Sequence, residues 1–306
     1  MTRPWYLFLL LAGAWLISAE TVARACKPEA GEQIATILLP LRQEIRHDHR
    51  QYFSGLLQLA LDKTEADYHP CEVRISEHPT PQARLYLDLE KGEHIDVIDA
   101  TAMPERDRRF LAVRFPLLKG LMGYRIAFIR EEDKAAFAEI ENIAELSAFT
   151  AGQGAGWPDV EVLRASGLPV VTADKYEALF RMLRAERFDY FPRGAQEVLS
   201  ERQTFNTEGL VVESSMAIVY PWPVYFYVNP REAELAERIE QGLHRAKEDG
   251  SFDRYFYQHP LIKGVFEQLH LQDRQLIYLC HPYHRDKTAL GRSEYWLNPW
   301  PDNLCD

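Results

Sequence analysis

The sequence predicts an α/β protein in which mostly parallel sheets are flanked by helices on both faces. Three observations predict it. Short apolar strands alternate with amphipathic helices along most of the 306 residues, as crossover connections between parallel strands require. Asn142-Ile-Ala-Glu145 and Asp174-Lys-Tyr-Glu177 have capping-box spacing, so each marks a helix start. The stretch Phe149–Val162, FTAGQGAGWPDVEV, reads as a strand end, a glycine turn and a helix entered through Pro158.

Taken in order, residues 51–63, QYFSGLLQLALDK, carry apolar residues at helical spacing. Glu72–Ser76 alternates like a strand. Thr80-Pro81 reads as N-cap and first helical position, and that helix ends near Gly92. Ile95–Ile98 is a short strand, and Thr101–Leu111 holds an arginine-rich turn or short helix. Tyr124–Ile129 is an apolar strand leading into a helix over Glu131–Ile140. The alternation repeats as strand Ala148–Ala151, helix Pro158–Ser166 and strand Pro169–Thr172. A helix from Asp174 to Glu186, strand Phe188–Phe191 and helix Ala195–Glu201 follow. Leu210–Glu213 and Ala217–Tyr220 are strands too close together to hold a helix between them. After Tyr220-Pro-Trp-Pro223 come strand Tyr225–Val228 and a long helix from Asn229-Pro230 to Asp249-Gly250. No Pro/Gly/Ser-rich linker separates the two halves, so the lobes are expected to share crossing strands.

The chain opens with Arg3, an uncharged apolar run from Trp5 to Ile17, and Ala23-Arg24-Ala25. A basic start, a short apolar segment and an A-x-A site describe a secretory signal peptide over residues 1–25. The run is shorter than the roughly 20 apolar residues of a membrane span. A net charge of −11 opposes binding to nucleic acid or anionic lipid. All four cysteines, Cys26, Cys71, Cys280 and Cys305, lie in the exported part. An even count in an oxidising compartment points to two disulfides, with three pairings open. His47-Asp48-His49 lacks further metal ligands, and Cys280-His281 fits no haem or zinc spacing. No cofactor or metal is expected.

Residues 152–156 bring three glycines ahead of a helix start, leaving backbone N–H groups as a site for a carboxylate or phosphate. The stretch is neither a P-loop nor a dinucleotide fingerprint, because no Lys-Ser/Thr follows and the glycine spacing differs.

Several segments, in one consistent order, resemble the type 2 periplasmic solute-binding proteins that serve ABC importers (bacterial family 3). They are residues 52–64, Ile95-Asp-Val-Ile98, Met103-Pro-Glu-Arg106, the glycine turn, residues 186–194, Tyr225–Pro230 and residues 242–252. The resemblance covers nearly all of the mature chain. It implies two α/β lobes, each a mostly parallel sheet flanked by helices, joined by two crossing strands and closing on a ligand. Residues 26–122 and 217–306 would form lobe 1, and residues 123–216 lobe 2. Within these lobes Cys26–Cys71 and Cys280–Cys305 are favoured, because each joins segments of one lobe.

The resemblance places Arg106 on a ligand carboxylate, with Thr101 as a hydroxyl contact and Gln153, Gly154, Ala155, Gly156 and Trp157 as the second lobe's contact. Tyr52 and Trp157 are candidate cleft aromatics. The departure falls at Arg193, where amino-acid binders usually carry an acidic residue for the ligand ammonium. A second arginine facing the cleft would favour a small anionic solute. The expected partners are that solute and a membrane importer permease, with the protein a monomer. The rival readings are a dehydratase-like enzyme on the same scaffold, with Glu105 and Asp189 as acidic candidates, and an accessory sensor for a membrane receptor. Exported protein should begin at Cys26 when its N-terminus is sequenced; a start at Met1 would refute the leader.

Overall fold

The structure is a computed structural model describing residues 34–42, 47–283, 292–298 and 300–301. The expected leader, Cys26 and Cys305 lie outside the described residues. The chain begins with β1 (Ala35–Leu41), α1 (His47–Asp62), β2 (Cys71–Pro79), α2 (Gln82–Lys91), β3 (Val97–Thr101), α3 (Pro104–Arg109) and β4 (Leu111–Val113). Then come β5 (Tyr124–Arg130), α4 (Lys134–Ala138), α5 (Ile143–Leu146), β6 (Ala151–Gly154), α6 (Pro158–Ala165) and β7 (Val170–Ala173). α7 (Tyr176–Arg184), β8 (Tyr190–Gly194), α8 (Ala195–Thr204), β9 (Leu210–Val212) and β10 (Met216–Val219) complete the middle. The chain returns through β11 (Val224–Val228), α9 (Ala233–Glu248), α10 (Ser251–Gln258), α11 (Pro260–Glu267) and β12 (Gln275–Tyr278).

Seven strands form the large sheet, in the order β12-β10-β5-β8-β6-β7 with β9 also on β5. β5 runs antiparallel to β8, β9 and β10, while β6–β7, β6–β8 and β10–β12 are parallel. Six strands therefore share one direction and β5 alone is reversed, which makes the sheet mostly parallel as expected. The first part of the chain builds a β1–β2 parallel pair and an antiparallel sheet β3-β11-β4. Asp96 N–H donates to the Leu38 carbonyl at 2.9 Å, which joins β1 to the start of β3 side by side.

α1 buries Tyr52, Phe53, Leu56, Leu57, Ala60 and Leu61, the i, i+4, i+8 stripe of a core-facing helix. It packs on α9 so closely that a Cβ on Gly242 would stand 1.9 Å from the Ala60 carbonyl oxygen. α2 ends on Gly92 at φ 69°, the left-handed position that favours glycine. Asn142 caps α5 by accepting from the Glu145 N–H. The second expected capping box is not formed: α7 is capped at Lys175 with no side-chain bond.

Two segments cross between the sheets, one before β5 and one between β10 and β11. They lie side by side, with Leu117 N–H donating to the Val224 carbonyl at 3.0 Å and Tyr220 N–H to the Gly123 carbonyl at 3.2 Å. The expectation that residues 217–306 all return to lobe 1 is corrected, because β10 and β12 pair within the large sheet. β10 offers its open edge there, and residues 275–278 fill it.

The C-terminal segment runs behind the crossing. The Tyr295 hydroxyl hydrogen-bonds His244 Nδ1 at 2.9 Å, Leu297 N–H donates to the Lys119 carbonyl at 3.0 Å, and Asn298 donates to the Tyr124 hydroxyl at 3.1 Å. Trp300 stands edge-on to Tyr278 of β12, with ring centroids 5.8 Å apart. Cys71 and Cys280 are not free thiols. No disulfide joins two described cysteines, so the pairing stays a proposal. Among the described residues no helix is long and apolar enough to cross a membrane.

Gly123 holds the crossing segments together by having no side chain. A Cβ there would stand 1.8 Å from the Tyr220 carbonyl oxygen, so the backbones would have to separate. Gly123→Ala should therefore lower unfolding stability by about 1–3 kcal/mol. Urea denaturation checks this, and an unchanged midpoint would refute the tight crossing.

Candidate functional site

In lobe 1, Arg42 and Arg106 meet β3 at the carboxyl ends of β1 and β3. In open α/β sheets the crevice outside strand carboxyl ends is where ligands bind. Thr101, the last residue of β3, accepts from Arg106 Nη1 through its hydroxyl at 2.6 Å and through its carbonyl. The guanidinium also lies over the Tyr86 ring at 5.4 Å. Thr101 and Arg106 are thus brought together as expected, both half-buried. Among the described residues no carboxylate pairs with Arg106, so its remaining N–H groups face no fixed anion.

The glycine turn differs from its sequence reading. Gly152 and Gly154 lie inside β6, three residues later than expected, because neighbouring rings leave no room for side chains. A Cβ on Gly152 would meet the Phe188 ring at 2.2 Å, and one on Gly154 the Trp157 ring at 2.3 Å. Gly156 alone in this stretch has a left-handed backbone, at φ 76°. Ala155 N–H donates to the Ala173 carbonyl at 2.9 Å and Trp157 N–H to the Gly154 carbonyl at 3.1 Å. Two of the expected anion donors are therefore already engaged within the chain. Gln153 is wholly buried and donates to the Pro192 carbonyl at 3.1 Å. Its Oε1 meets no donor.

Arg193, at the carboxyl end of β8, requires a correction. Its side chain forks onto Glu201, with contacts of 3.0 and 2.8 Å, and reaches Glu197 at 3.2 Å. It stacks over Trp157 at 4.6 Å and Tyr176 at 5.2 Å. Burial alone would make its charge costly, but Glu197 and Glu201 outweigh that and push its pKa up. α8 supplies both carboxylates one turn apart, so Arg193 is a neutralised, packed cation rather than a second anion-binding group. Tyr52 is corrected as well: it has no exposed surface, and its hydroxyl donates to the Leu117 carbonyl at 2.7 Å. It is core, not cleft.

A second charged cluster adjoins Arg193 and was missed in the sequence. Arg125, at the start of β5, pairs with Asp159 at 3.0 Å and donates to the Tyr220 hydroxyl at 2.7 Å, and Tyr220 donates on to Asp159. Burial would raise the Glu197 carboxyl, but Arg193 and Arg125 hold it low, with His49 from the first turn of α1 adding to them. The two arginines face Asp159, Glu197 and Glu201, so the lobe 2 wall carries one excess negative charge. Ordinary arginine–carboxylate spacing could not reveal this, because Arg125 and Asp159 are far apart in sequence.

Asp99 is the other missed group. It sits 3.8 Å from Arg42 with its side chain 21% exposed, and burial pushes its carboxyl up to about 6, with Arg42 offsetting part of that.

Arg193 and Glu201 are both buried, and removing one partner of such a pair leaves an uncompensated charge. Glu201→Ala should cost about 3–5 kcal/mol of stability. Thermal and chemical denaturation check this, and a loss below about 1 kcal/mol would mean that Arg193 swings out into water.

No family profile matches this sequence, and comparison with characterised sequences finds no significant relative. Comparison of folds does find similar structures. One is the second substrate-binding domain of Lactococcus lactis GlnP in its open conformation, with a TM-score of 0.53 and 14% identity. That match covers 76% of this chain and 97% of the other. Another is the Bacillus subtilis protein ytmK, a probable amino-acid ABC transporter extracellular-binding protein, with a TM-score of 0.54 and 15% identity. It covers 74% of this chain and 98% of the other. With its reversed β5 and paired crossing segments, the chain has the two-lobed α/β fold of type 2 solute-binding proteins.

Proposed function

We propose that this is an exported solute-binding protein that closes on a small, carboxylate-bearing solute and delivers it to an ABC-type importer in the membrane. One observation carries the reading. Arg106 is a half-buried guanidinium, braced by Thr101 and Tyr86 at a strand carboxyl end, with no carboxylate against it among the described residues. A guanidinium held in this way offers a rigid fork for a carboxylate. Gly156 N–H, at the entry to α6, is the counterpart on the second lobe. The lobes are proposed to divide at 122/123 and to rejoin through residues 220–223, with β12 counted in the second lobe. Closure about these crossings would bring Arg106 and the glycine turn to one solute.

The reading drops the second anionic group expected of the solute, because Glu201 and Glu197 already neutralise Arg193. A periplasmic location and a cleaved leader remain part of the proposal, as do the Cys26–Cys71 and Cys280–Cys305 pairings. An enzymatic reading finds less support among its expected acids. Asp189 is held by Arg130 at 3.3 Å and by Thr150 N–H at 2.7 Å, and Glu105 is exposed at the start of α3.

Removing one partner of a desolvated, hydrogen-bonded charge pair costs about 2–5 kcal/mol. Arg106→Ala should thus weaken solute binding by roughly 30-fold to several-thousand-fold. Native mass spectrometry of purified protein, to identify a retained solute, followed by calorimetry with that solute, tests this. Undiminished binding in Arg106→Ala would refute the assignment.

A further inference from the structure

We propose that Cys71 is the exchange-active half of its disulfide. Arg238 holds the Cys71 sulfur as a thiolate once the bond opens, and an uncharged or cationic dithiol is the matching reductant. The site is independent of the proposed solute cleft. Cys71 opens β2 and pairs with Ala35 of β1, at the amino ends of strands whose carboxyl ends face Arg42 and Arg106.

Arg238 lies in α9 and is 1% exposed. Its Nη2 donates to the Leu61 carbonyl at 3.3 Å and its Nε to the Thr64 hydroxyl at 3.1 Å, both at the carboxyl end of α1. The helix dipole favours a cation there, which accounts for two of its contacts. The third is different: Nη1 donates to Cys71 Sγ at 3.1 Å, while the Tyr68 ring covers the guanidinium at 5.0 Å. Among the described residues no carboxylate forms an ion pair with Arg238. Burial lowers its pKa, and Tyr68, Glu65, Asp62 and Glu234 offset only part of that. An arginine stays charged even so. A buried cation therefore stands against a sulfur atom, with no anion in contact.

Cys71 is held in a disulfide. A disulfide sulfur is a weak, neutral acceptor, whereas a thiolate is the counterion that Arg238 lacks. Opening the bond thus improves the electrostatics at this place. A thiol of lowered pKa leaves faster, and a stabilised reduced form makes its disulfide more oxidising. One thiolate of the dithiol attacks the partner sulfur and forms a mixed disulfide. The protein S–S bond breaks, and its electron pair stays on Cys71 Sγ beside Arg238. The second dithiol sulfur then attacks the mixed disulfide, closes its own disulfide and releases the partner cysteine. The dithiol gives up two electrons, which the protein disulfide receives. Of its two protons, one goes to the partner cysteine and one to water.

The surroundings select the reductant. Cys71 lines a cavity of about 210 Å³ whose charged residues are Asp62, Glu65 and Glu72. Three carboxylates repel an anionic thiol and admit an uncharged or cationic one.

Redox titration of the mature chain against dithiothreitol tests the inference, read by differential alkylation and mass spectrometry of the Cys71 and Cys280 peptides. In wild type, Cys71 should be half-reduced at about a ten-fold lower ratio of reduced to oxidised dithiothreitol than Cys280, a separation of about 30 mV. Once reduced, it should alkylate half-maximally below about pH 7.5. Arg238→Gln should make the Cys71 bond about ten-fold harder to reduce and move that pH to about 8.5. A merely structural Arg238 predicts the opposite sign, because a loosened native state makes the bond easier to open. Arg238→Lys, which keeps a charge, should stay nearer to wild type than Arg238→Gln. Glutathione should open the bond more slowly than cysteamine at matched thiolate concentration. Equal half-reduction of Cys71 and Cys280 in wild type, easier reduction in Arg238→Gln, or faster opening by glutathione would overturn the inference. If neither variant folds, the wild-type titration and its alkylation profile decide it alone.

Discussion

Tyr220 ties the hinge to the site. Its carbonyl lies against Gly123, where the two crossing segments touch, and its hydroxyl joins Arg125 to Asp159. Arg125 is the second residue of β5, just past the first crossing, and Tyr220 directly follows β10, before the second. Asp159 lies in the first turn of α6, where the helix dipole favours a carboxylate. One buried triad therefore fixes the direction in which α6 leaves β6, and with it the position of Gly156. The turn at Gly156 is thereby tied to the crossing strands. Since a buried ion pair is close to neutral for stability, the triad is better understood as a positioning device than as a source of stability.

The same logic governs Arg193. A guanidinium at the carboxyl end of β8 would create a strongly anion-selective site if it stood alone. α8 prevents that by placing Glu197 and Glu201 four residues apart on the helix face that looks back at the strand. Trp157 and Tyr176 then cover the guanidinium, so the neutralised pair supports the aromatic wall of the turn. Arg106 and Arg193 therefore differ: among the described residues Arg106 has no carboxylate against it, whereas Arg193 has two. The charges around each arginine, rather than a count of arginines, set the electrostatics of the two walls.

Much of this was legible in the sequence, for identifiable reasons. α1, α6, β5 and β11 announce themselves through local periodicity, and local periodicity depends only on neighbours along the chain. Thr101 and Arg106 were singled out by the resemblance, and they meet because one strand end and one helical turn separate them. Residues 275–278 give no comparable signal, since β12 is a strand only because β10 offers an edge. The glycines at 152 and 154 were misread for the same reason: Phe188 and Trp157, not backbone freedom, require them. Arg125 and Asp159, or Arg42 and Asp99, are pairs made by tertiary structure, so no spacing along the chain could point to them. Arg193 was expected to face the cleft, because its two carboxylates lie on a helix whose facing side the sequence left undecided.

The C-terminal segment raises a mechanical question that its contacts answer. It touches α9 through Tyr295 and His244 and reaches β12 through Trp300 and Tyr278, so it bridges both sides of the crossing. A bridge between bodies that rotate would resist closure if its anchors lay far from the rotation axis. Its central contacts are to Lys119 and Tyr124, and Trp296 fills the space beside Gly120, where a Cβ would stand 2.4 Å from its ring. These residues belong to the first crossing segment or to the start of β5. The segment can therefore brace the crossing without locking it. It is anchored at one end by the Tyr295–His244 hydrogen bond and at the other by the edge-on contact of Trp300 with Tyr278, so it ties both sides to the crossing.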